Sequence, residues 1–419
     1  MSSIKLQQVK GTKDLLFEEY RKFSYVSSIA QEIGERFGFQ PVQTPIFEFQ
    51  DIFCKTLGGS SDIIGKEMYS FEDRGGDKLT LRPEFTAAIV RVLICERLQP
   101  PVKLFTSGPV FRYERPQKCR QRQFHQINYE HFGIAANAES DAEIISLAYA
   151  IINELGIHDK VTLEINSLGS NSNISAYRKR LLDYLKGYEA CLSEDSKRRL
   201  HTNPLRILDS KDSQDISILE GAPVIEEFYD EKTGKYFDKV KKYLSDLRIP
   251  HVVNSRLVRG LDYYSSIVFE FKTSHLGSQD AVIAGGRYDG LVALMGGNDV
   301  SAVGFAGGIE RLVALMFYAE KPRFSAVILP ICEEVLGDAM MLAHEIRSAG
   351  IEVSVEYEVV RLKTGLKRAD KLQAQIVLIL GDEELNKGVV SCKNMATGEQ
   401  KEIPRDTLVE YLQGFSRGN

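Results

Sequence analysis

Residues 111–133 read FRYERPQKCRQRQFHQINYEHFG, and this stretch carries the strongest structural signal in the chain. Successive side chains of an extended strand point to opposite faces, so alternate residues share a face. One face here carries Phe124, Gln126, Asn128, Glu130 and Phe132, and the other carries His125, Ile127, Tyr129 and His131. Together with the extended run from residue 102, the pattern predicts a long β-hairpin over 102–133 with a charged loop.

The loop of this hairpin is rich in cations. It contains one acid, Glu114, and four basic residues, Arg115, Lys118, Arg120 and Arg122. Arginine, here also Arg112 on the first strand, suits phosphates and carboxylates, whereas Gln126 and Glu130 suit an ammonium group. We interpret the hairpin as a platform for a zwitterion and a polyphosphate. A solvated sheet face with a charged turn is the alternative, but it leaves the repulsion between the cations unexplained.

Length and composition limit the possible classes of protein. A chain of 419 residues is too long for one ordinary core, so we expect two or three domains. The net charge of −5 gives no support for nucleic-acid binding by bulk charge, so RNA contacts must come from local basic clusters. Six scattered cysteines without a C-x-x-C pair fit a reducing cytoplasm and predict no zinc site. No apolar run is long enough to span a membrane.

The periodicity of the remaining chain predicts an α/β multi-domain protein. Amphipathic helices are predicted over 18–37, 84–98 and 140–156, and strands over 161–166, 267–273 and 280–284. Residues 39–46, with two prolines, predict an extended edge segment. A glycine cluster at 304–308 is predicted to open a helix. After residue 324, alternating strands and helices predict a small α/β domain with a parallel sheet.

Several segments resemble the signatures of one enzyme family. Arg112-Tyr-Glu-Arg-Pro-Gln, followed by Arg120-x-Arg122-Gln-Phe-His-Gln and Glu130, is similar to motif 2 of class II aminoacyl-tRNA synthetases in its histidyl-specific form. The other segments follow in the family's order: 21–45 resembles motif 1, Thr80–Thr86 another active-site element, Leu257–Tyr264 and Ala284–Gly290 histidine-specific signatures, and Gly304–Arg311 motif 3. By this resemblance the chain is identified as a member of the histidyl-tRNA synthetase family.

The resemblance implies a fold and a division of the chain. We expect an antiparallel β-sheet flanked by helices, whose catalytic core is formed by residues 1–170 and 251–320. A helical insertion over 171–250 would interrupt this core, and residues 325–419 would form a C-terminal α/β anticodon-binding domain. Members of this class are homodimers through motif 1, so we expect region 21–45 to be buried against a second copy.

The resemblance also implies a two-step reaction on L-histidine, ATP with bound Mg²⁺, and tRNA(His). The histidine carboxylate attacks the α-phosphorus to give histidyl-adenylate and pyrophosphate, and the histidyl group then passes to the 3′ end of the tRNA. A carboxylate is ionised at neutral pH, so the first step needs no general base. Catalysis reduces to alignment and neutralisation of charge at phosphorus. Apart from magnesium bound with ATP, we expect no metal site.

The site residues carried over by resemblance fall into three groups. At ATP, Arg112 and Arg259 would be the catalytic cations at the α-phosphate and Arg311 would bind the γ-phosphate, while Gly304, Gly307 and Gly308 would let the backbone approach the nucleotide. The histidine site would comprise Glu84, Phe85, Thr86, Gln126, Glu130, Tyr263, Tyr264 and Tyr288. Contacts with tRNA would come from Arg115, Gln117, Arg120, Arg122, Lys363, Lys367 and Lys371. The alternative to tRNA contact by the three lysines is a solvated helix face. The alternative to histidine binding by the paired tyrosines is packing in the core.

Two residues depart from the family pattern. Cys119 stands in the hairpin loop where a glycine is common, and Phe85 replaces a small residue.

The first alternative function is a non-catalytic regulatory subunit of ATP phosphoribosyltransferase, a class that typically loses motif residues and the anticodon-binding domain. The second is an RNA-binding module without catalysis, which leaves the cluster of glutamate, glutamine and tyrosine unexplained. An enzyme located in the cytoplasm is therefore the favoured interpretation.

Overall fold

The computed structural model of the chain describes residues 6–56, 63–133, 136–259, 263–277, 280–318 and 324–417. The chain divides into two compact units, Met1–Tyr318 and Ala319–Asn419. Among the described residues, no helix combines the length and the apolar character that a membrane crossing requires.

The first unit contains both helices and strands. Its helices are α1 (Phe17–Arg36), α2 (Gln50–Thr56), α3 (Thr86–Cys95), α4 (Ala138–Glu154), α5 (Asn171–Lys186), α6 (Glu194–Thr202), α7 (Ser213–Leu219), α8 (Glu231–Asp246), α9 (Leu291–Leu294) and α10 (Ile309–Leu315). Its strands are β1 (Gln40–Pro41), β2 (Phe47–Phe49), β3 (Tyr69–Glu72), β4 (Lys78–Leu81), β5 (Val102–Phe111), β6 (Gln123–Phe132), β7 (Thr162–Ser167), β8 (Val252–Val253), β9 (Ile267–Lys272), β10 (Ala281–Arg287) and β11 (Ala302–Gly308). Short turns of other helix types lie at Ile63–Glu67, His158–Lys160, Glu189–Cys191, Pro204–Asp209 and Ile225–Phe228.

The large sheet of the first unit is mostly antiparallel. Its strand order is β1-β5-β6-β11-β10-β9-β7-β8, and only the two edge pairs, β1 with β5 and β7 with β8, are parallel. The hairpin predicted over 102–133 is confirmed, with β5 and β6 paired from Val102 opposite Phe132 to Phe111 opposite Gln123. The predicted glycine cluster at 304–308 lies within β11, and the helix begins directly after it at Ile309. The cluster therefore precedes the helix as predicted, but it is a strand and not the first turn of the helix.

One face of the sheet is covered by helices α1, α4 and α8. Ile127 and Tyr129 of β6 pack there with residues such as Val26 of α1 and Ile145 of α4. The period-two pattern therefore placed the apolar residues of β6 on the correct side. The opposite face is left open to form a cavity, and α3 packs beside it through a second core around Ile89.

Helices α5 to α7 form a compact element with its own core. Leu181, Leu200 and Leu219 pack in a cluster that also contains Val268 of β9, so this element is joined to the sheet at that strand. Asp215, which is fully buried, accepts hydrogen bonds from the Ser193 amide (2.9 Å) and from the hydroxyls of Ser193 (2.7 Å), Ser196 (2.6 Å) and Ser210 (2.6 Å). These bonds fix α6, α7 and the turn between them relative to one another.

The second unit, described by itself, contains β12 (Ser325–Pro330), α11 (Leu336–Ser348), β13 (Glu352–Val355), α12 (Leu362–Lys371), β14 (Ile376–Leu380), α13 (Asp382–Lys387), β15 (Val389–Asn394), β16 (Gln400–Pro404) and α14 (Leu408–Arg417). Its sheet has the order β13-β12-β14-β15-β16. The first three strands are parallel, but β15 and β16 are antiparallel to their neighbours, so the prediction of a parallel sheet was only partly right. The links after β14 and β15 are too short for parallel crossovers.

Candidate active site

The open face of the large sheet carries a cavity of about 420 Å³, within the range of about 300–1,000 Å³ typical of small-molecule sites. From β6 come Phe124, Gln126, Asn128 and Glu130, and from β11 come Gly304, Ala306 and Gly308. The structure thus brings the polar face of the predicted hairpin and the glycine-rich segment together on two adjacent strands.

Glu130 lines this cavity and is 1% exposed. Its carboxyl accepts a hydrogen bond of 2.6 Å from the Thr86 hydroxyl and another from the Tyr288 hydroxyl. Burial raises the pKa of Glu130 to about 8, against the opposing effect of these hydrogen bonds. Gly304 lies directly opposite in the sheet register, and a Cβ there would collide with this carboxyl group. The absence of a side chain at Gly304 is therefore required by Glu130.

Glu84 occupies the neighbouring position at the start of α3. Its carboxylate accepts hydrogen bonds from the backbone amides of Thr86 (2.5 Å) and Ala87 (2.9 Å). The helix begins at Thr86, two residues later than predicted, because the Glu84 side chain binds the first free amides. Burial raises the pKa of Glu84, although both amides and the charge of Arg112 favour its ionised form.

Two amide side chains on β6 have buried oxygen atoms without a partner. The Oε1 of Gln126 and the Oδ1 of Asn128 accept no hydrogen bond from the described residues. Leaving such a group buried and unpaired costs about 1–3 kcal/mol. Both residues line the cavity. The arrangement therefore fits a bound donor such as an ammonium group, as predicted for Gln126, whereas Asn128 was placed on this face without a role.

Three tyrosines form one wall. The ring centroids of Tyr263 and Tyr264 lie 4.8 Å apart, and that of Tyr288 lies 5.5 Å from Tyr263 and 6.3 Å from Tyr264. Burial raises the pKa of all three hydroxyls, so they remain hydrogen-bond donors. The rings pack in the core around α3 and also line the cavity, so both interpretations of these residues apply. The preceding residues 260–262 of the same signature lie outside the described residues.

Three predicted cations, Arg112, Arg259 and Arg311, also line the cavity. The Nε of Arg112 donates to the Pro83 carbonyl (2.9 Å), and its guanidinium lies 5.3 Å from the ring centroid of Phe124. Burial lowers the pKa of Arg112 and of Arg311, and for Arg311 the charge of Arg112 adds to this effect. The Nη1 of Arg311 donates to the Ala281 carbonyl (2.5 Å). Cations held together in this way favour an anionic ligand.

Arg259 has an acidic partner that the sequence analysis missed. Its Nη1 forms an ion pair with Glu270 of β9, whose second carboxylate oxygen lies 3.4 Å from Lys272. Burial opposes the charge of Arg259, but Glu270 together with Tyr264 and Tyr263 outweighs burial, and the pKa of Arg259 is raised. The available signal was a single acid inside the apolar strand 267–271. Two further arginines of the lining, Arg199 and Arg206, were also missed, since they come from the helical element and no motif marks them.

Residues of the hairpin loop differ in their accessibility. Arg115 and Gln117 are exposed, whereas Arg120 is ion-paired with Glu114. Arg122 is packed: its guanidinium lies 3.8 Å from the Tyr113 ring centroid, and its Nε donates to the Glu114 carbonyl (3.2 Å). Arg115 and Gln117 are therefore accessible for the predicted RNA contacts, whereas Arg122 packs within the loop and stabilises it.

Cys119 adopts a left-handed backbone conformation with φ of +58°. It lies in a tight turn closed by paired hydrogen bonds between the backbones of Gln117 and Arg120. Glycine is favoured in this conformation, which explains why a glycine is common at this position. Cys119 departs from that pattern. Burial raises the pKa of the Cys119 thiol, so the neutral form is favoured.

Some residues assigned by resemblance lie behind the cavity wall. Phe85 is fully buried in the core beneath α3, with the Arg82 guanidinium 4.4 Å from its ring centroid. A Cβ on Gly307 would face Ile283 and Ile127 on the helix-covered side of the sheet. Gly308 lines the cavity, with the Arg311 side chain beside it.

In the second unit, the three predicted lysines share an exposed helix face. Lys363, Lys367 and Lys371 of α12 are all exposed, while Gly365 and Ala369 are buried on its other side. A Cβ on Gly365 would collide with Leu329, so α12 packs closely on β12. The helix thus presents a basic surface.

Comparison with known proteins gives the context of this site. The profile of the family described as Histidyl-tRNA synthetase matches residues 11–312, and that described as Anticodon binding domain matches residues 325–414. The chain is 63% identical over 411 residues to the histidine--tRNA ligase of Anaplasma phagocytophilum strain HZ, covering 98% of this chain and 97% of that protein. It is 55% identical over 406 residues to the histidine--tRNA ligase of Wolbachia pipientis subsp. Culex pipiens strain wPip, covering 97% and 99%.

Solved structures agree with these relatives. The crystal structure of apo S. aureus histidyl-tRNA synthetase superposes with a TM-score of 0.81 at 32% identity, covering 98% of this chain and 100% of that chain. An ATP phosphoribosyltransferase regulatory subunit/histidyl-tRNA synthetase from Bacillus halodurans shares the fold, with a TM-score of 0.65 at 22% identity, covering 91% and 99%. The antiparallel sheet with its cavity and the anticodon-binding unit define a class II aminoacyl-tRNA synthetase. Within that class, the chain belongs to the histidyl-tRNA synthetase family.

Proposed function

We propose that the chain activates L-histidine with magnesium-bound ATP and transfers the histidyl group to the 3′ end of tRNA(His). The observation that carries the proposal is one cavity whose lining combines two chemically different sets of groups. Glu84, Gln126 and Glu130 contribute carboxyl and amide oxygens, and Arg112, Arg259 and Arg311 contribute guanidinium groups. A zwitterion joined to a polyphosphate matches this distribution of charge.

In the first step, a histidine carboxylate oxygen forms a bond to the α-phosphorus while the bond from that phosphorus to the bridging oxygen breaks. Pyrophosphate leaves with the bonding electrons. Arg112 and Arg259 stabilise the charge that develops at the α-phosphate, and Arg311 holds the outer phosphates. The ion pair with Glu270 limits the rotation of Arg259 and so orients it before ATP arrives.

The side chain of histidine is read by the tyrosine wall. The hydroxyls of Tyr263, Tyr264 and Tyr288 offer polar partners to two ring nitrogens, while their rings pack against the imidazole. An apolar amino acid would leave these buried groups unpaired, which disfavours its binding. In the second step, the exposed loop residues Arg115 and Gln117 and the basic face of α12 would contact the tRNA.

We also propose a homodimer located in the cytoplasm. The small sheet β2-β4-β3 presents the exposed aromatic rings of Phe47 (55%), Phe49 (54%) and Phe71 (44%) next to the motif 1 region. An exposed apolar patch of this kind is typical of an association surface. Analytical ultracentrifugation of the wild type and Phe49→Asp tests it: a wild type that remains monomeric at micromolar concentration contradicts the dimer.

The enzymatic proposal is tested by histidine-dependent ATP–pyrophosphate exchange. We expect exchange by the wild type, its loss in Arg259→Ala, and little change in Arg198→Ala, an exposed arginine of α6 that serves as the control. Absence of exchange by pure wild-type protein would instead favour the non-catalytic regulatory subunit. Charging of tRNA(His) should be lost, with exchange retained, when residues 325–419 are removed.

A further inference from the structure

Arg82 is a buried arginine whose guanidinium binds backbone carbonyls. It follows directly after β4, precedes Glu84 by two residues and is 2% exposed. Its side chain lies outside the lining of the active-site cavity. Burial lowers the pKa of Arg82 to about 10, against the opposing charge of Glu48, so the guanidinium still carries its charge at neutral pH. A buried charge is costly unless it is hydrogen-bonded, so the partners of Arg82 indicate its role.

The guanidinium joins two segments that are distant in the chain. Its Nη1 donates to the carbonyls of Thr44 (2.6 Å) and Pro45 (3.1 Å) and to the Thr44 hydroxyl (3.2 Å). Its Nε donates to the carbonyl of Pro109 near the end of β5 (2.8 Å). Proline has no amide hydrogen, so Pro45 and Pro109 offer acceptors but no backbone donors. Arg82 therefore supplies the donors that the backbone lacks where these segments cross.

The backbone around Arg82 connects this crossing to the active site. The Arg82 amide donates to the Ile46 carbonyl (2.8 Å), and the Arg82 carbonyl accepts from the Phe111 amide (3.0 Å). The next residue is Pro83, whose carbonyl accepts the hydrogen bond of 2.9 Å from the Nε of Arg112. The position of the Pro83 carbonyl thus depends on how Arg82 is fixed, and the orientation of the Arg112 guanidinium depends on that carbonyl.

We propose that Arg82 is a positioning residue that orients the Arg112 guanidinium by fixing the carbonyl of Pro83. The inference rests on the proposed function, in which Arg112 stabilises charge at the α-phosphate. Arg82 itself does not touch the substrate, but it determines where a group that does so lies. A misplacement of about 1 Å in a group that aligns the reacting atoms can lower the rate about 10²-fold.

Two variants perturb Arg82 to different degrees. Arg82→Lys keeps a charge but loses the planar fork that reaches both segments. Gly108→Ala keeps Arg82 and displaces it, because a Cβ on Gly108 would lie only 3.0 Å from its Nη2. Arg347→Lys is the matched control, since Arg347 also donates to a backbone carbonyl, that of Val353 (2.9 and 3.1 Å), but belongs to the second unit. Thermal midpoints of all variants show whether they fold.

The kcat of histidine-dependent exchange is measured for each substitution in the wild type and in an Arg112→Lys background, which keeps the charge but lacks the Nε that binds Pro83. We expect Arg82→Lys to lower kcat about tenfold or more in the wild type and less than about threefold in Arg112→Lys. Gly108→Ala should act in the same direction by a smaller factor, and Arg347→Lys should have no effect. Equal factors in both backgrounds, as a loss of stability alone would give, overturn the proposal.

Crystal structures of the wild type and the two variants give a readout that does not depend on activity. We expect the contact of 2.9 Å between the Arg112 Nε and the Pro83 carbonyl to break, or the guanidinium to move by about 1 Å. An Arg112 side chain that stays in place overturns the proposal even if kcat falls. If Arg82→Lys does not fold, Gly108→Ala carries both measurements. Absence of exchange by the wild type contradicts the proposed function, whereas the crystal structures still decide whether Arg82 fixes Arg112.

Discussion

Glu130 gives the sharpest physical prediction, because its burial affects both stability and binding. Replacing it by glutamine (Glu130→Gln) keeps the shape of the side chain and removes the titratable group. The amide oxygen can still accept from the Thr86 hydroxyl, and the amide nitrogen can donate to the Tyr288 hydroxyl. The variant therefore keeps the contacts but no longer has to hold a buried acid protonated.

The magnitude follows from the pKa of this carboxyl. Burial raises it from the ordinary 4.5 to about 8, so the folded chain binds one more proton than the unfolded chain between these values. The stability that Glu130 provides is fully present below pH 4.5 and is lost as the pH rises through 8. In this window the free energy of unfolding of the wild type falls by about 1.4 kcal/mol for each pH unit. The total loss at pH 7 is about 3 kcal/mol. We therefore expect Glu130→Gln to be more stable than the wild type at pH 7, with a smaller difference at pH 5.

Urea denaturation followed by circular dichroism at pH 5, 6 and 7 measures this difference. The wild-type transition of the first unit is identified by its shift when histidine is added. Glu96→Gln, an exposed position at the end of α3, is the control and should change stability by the same small amount at each pH. A Glu130→Gln variant that is less stable than the wild type by a constant amount at all three pH values refutes the reasoning.

The same substitution should weaken binding while it stabilises the fold. A charge-assisted hydrogen bond to the histidine ammonium is worth about 1.5–3 kcal/mol, so the Kd for histidine should rise about 10–100-fold. In the wild type the ammonium favours the ionised carboxyl, and binding at pH 7 should release a proton. Calorimetry in buffers of different ionisation enthalpy detects this release, which Glu130→Gln should abolish.

Three further substitutions test other parts of the site. Gly304→Ala should reduce histidine-dependent exchange more than tenfold through a collision with the opposite carboxyl, whereas Gly234→Ala in α8, where nothing lies within 4 Å of the new Cβ, should have little effect. Arg287→Met leaves the buried carboxylate of Asp141 without its 2.6 Å partner and should cost about 3–5 kcal/mol in urea denaturation; a loss below 1 kcal/mol contradicts this. Cys119→Val should lower stability by about 1 kcal/mol, because a β-branched residue is strained at φ of +58°, while Cys119→Gly should stay near the wild type in thermal melts.

The parts of the site that the sequence predicted lie on single elements. Period-two alternation places Gln126 and Glu130 on one face of β6 whatever the tertiary structure, and the sheet confirms that face as the cavity side. The start of α3 was predicted two residues early, because the propensity pattern does not show that the Glu84 side chain binds the first amides. Local sequence patterns thus predict which face of a strand a side chain occupies better than they predict where a helix begins.

Features that depend on packing between distant segments could not be predicted. Glu270 pairs with Arg259 because β9 lies beside β7 and β10 at the far side of the sheet, an order that no local pattern specifies. Arg199 and Arg206 reach the cavity from a helical element whose position depends on its own core and its contact with Val268. In each case the sequence shows the charged residue itself, but the groups that it contacts come from distant parts of the chain.

The position of Arg112 gives a reason for the arrangement of the whole cavity. The charges of Glu67 and Glu84 favour its protonated form, whereas burial and the charge of Arg259 oppose it. The charge of Arg112 in turn lowers the pKa of Arg311. Arg112 is therefore coupled electrostatically both to two glutamates and to two arginines of the cavity lining. In the proposed reaction its guanidinium would neutralise the carboxylate and the α-phosphate where they meet.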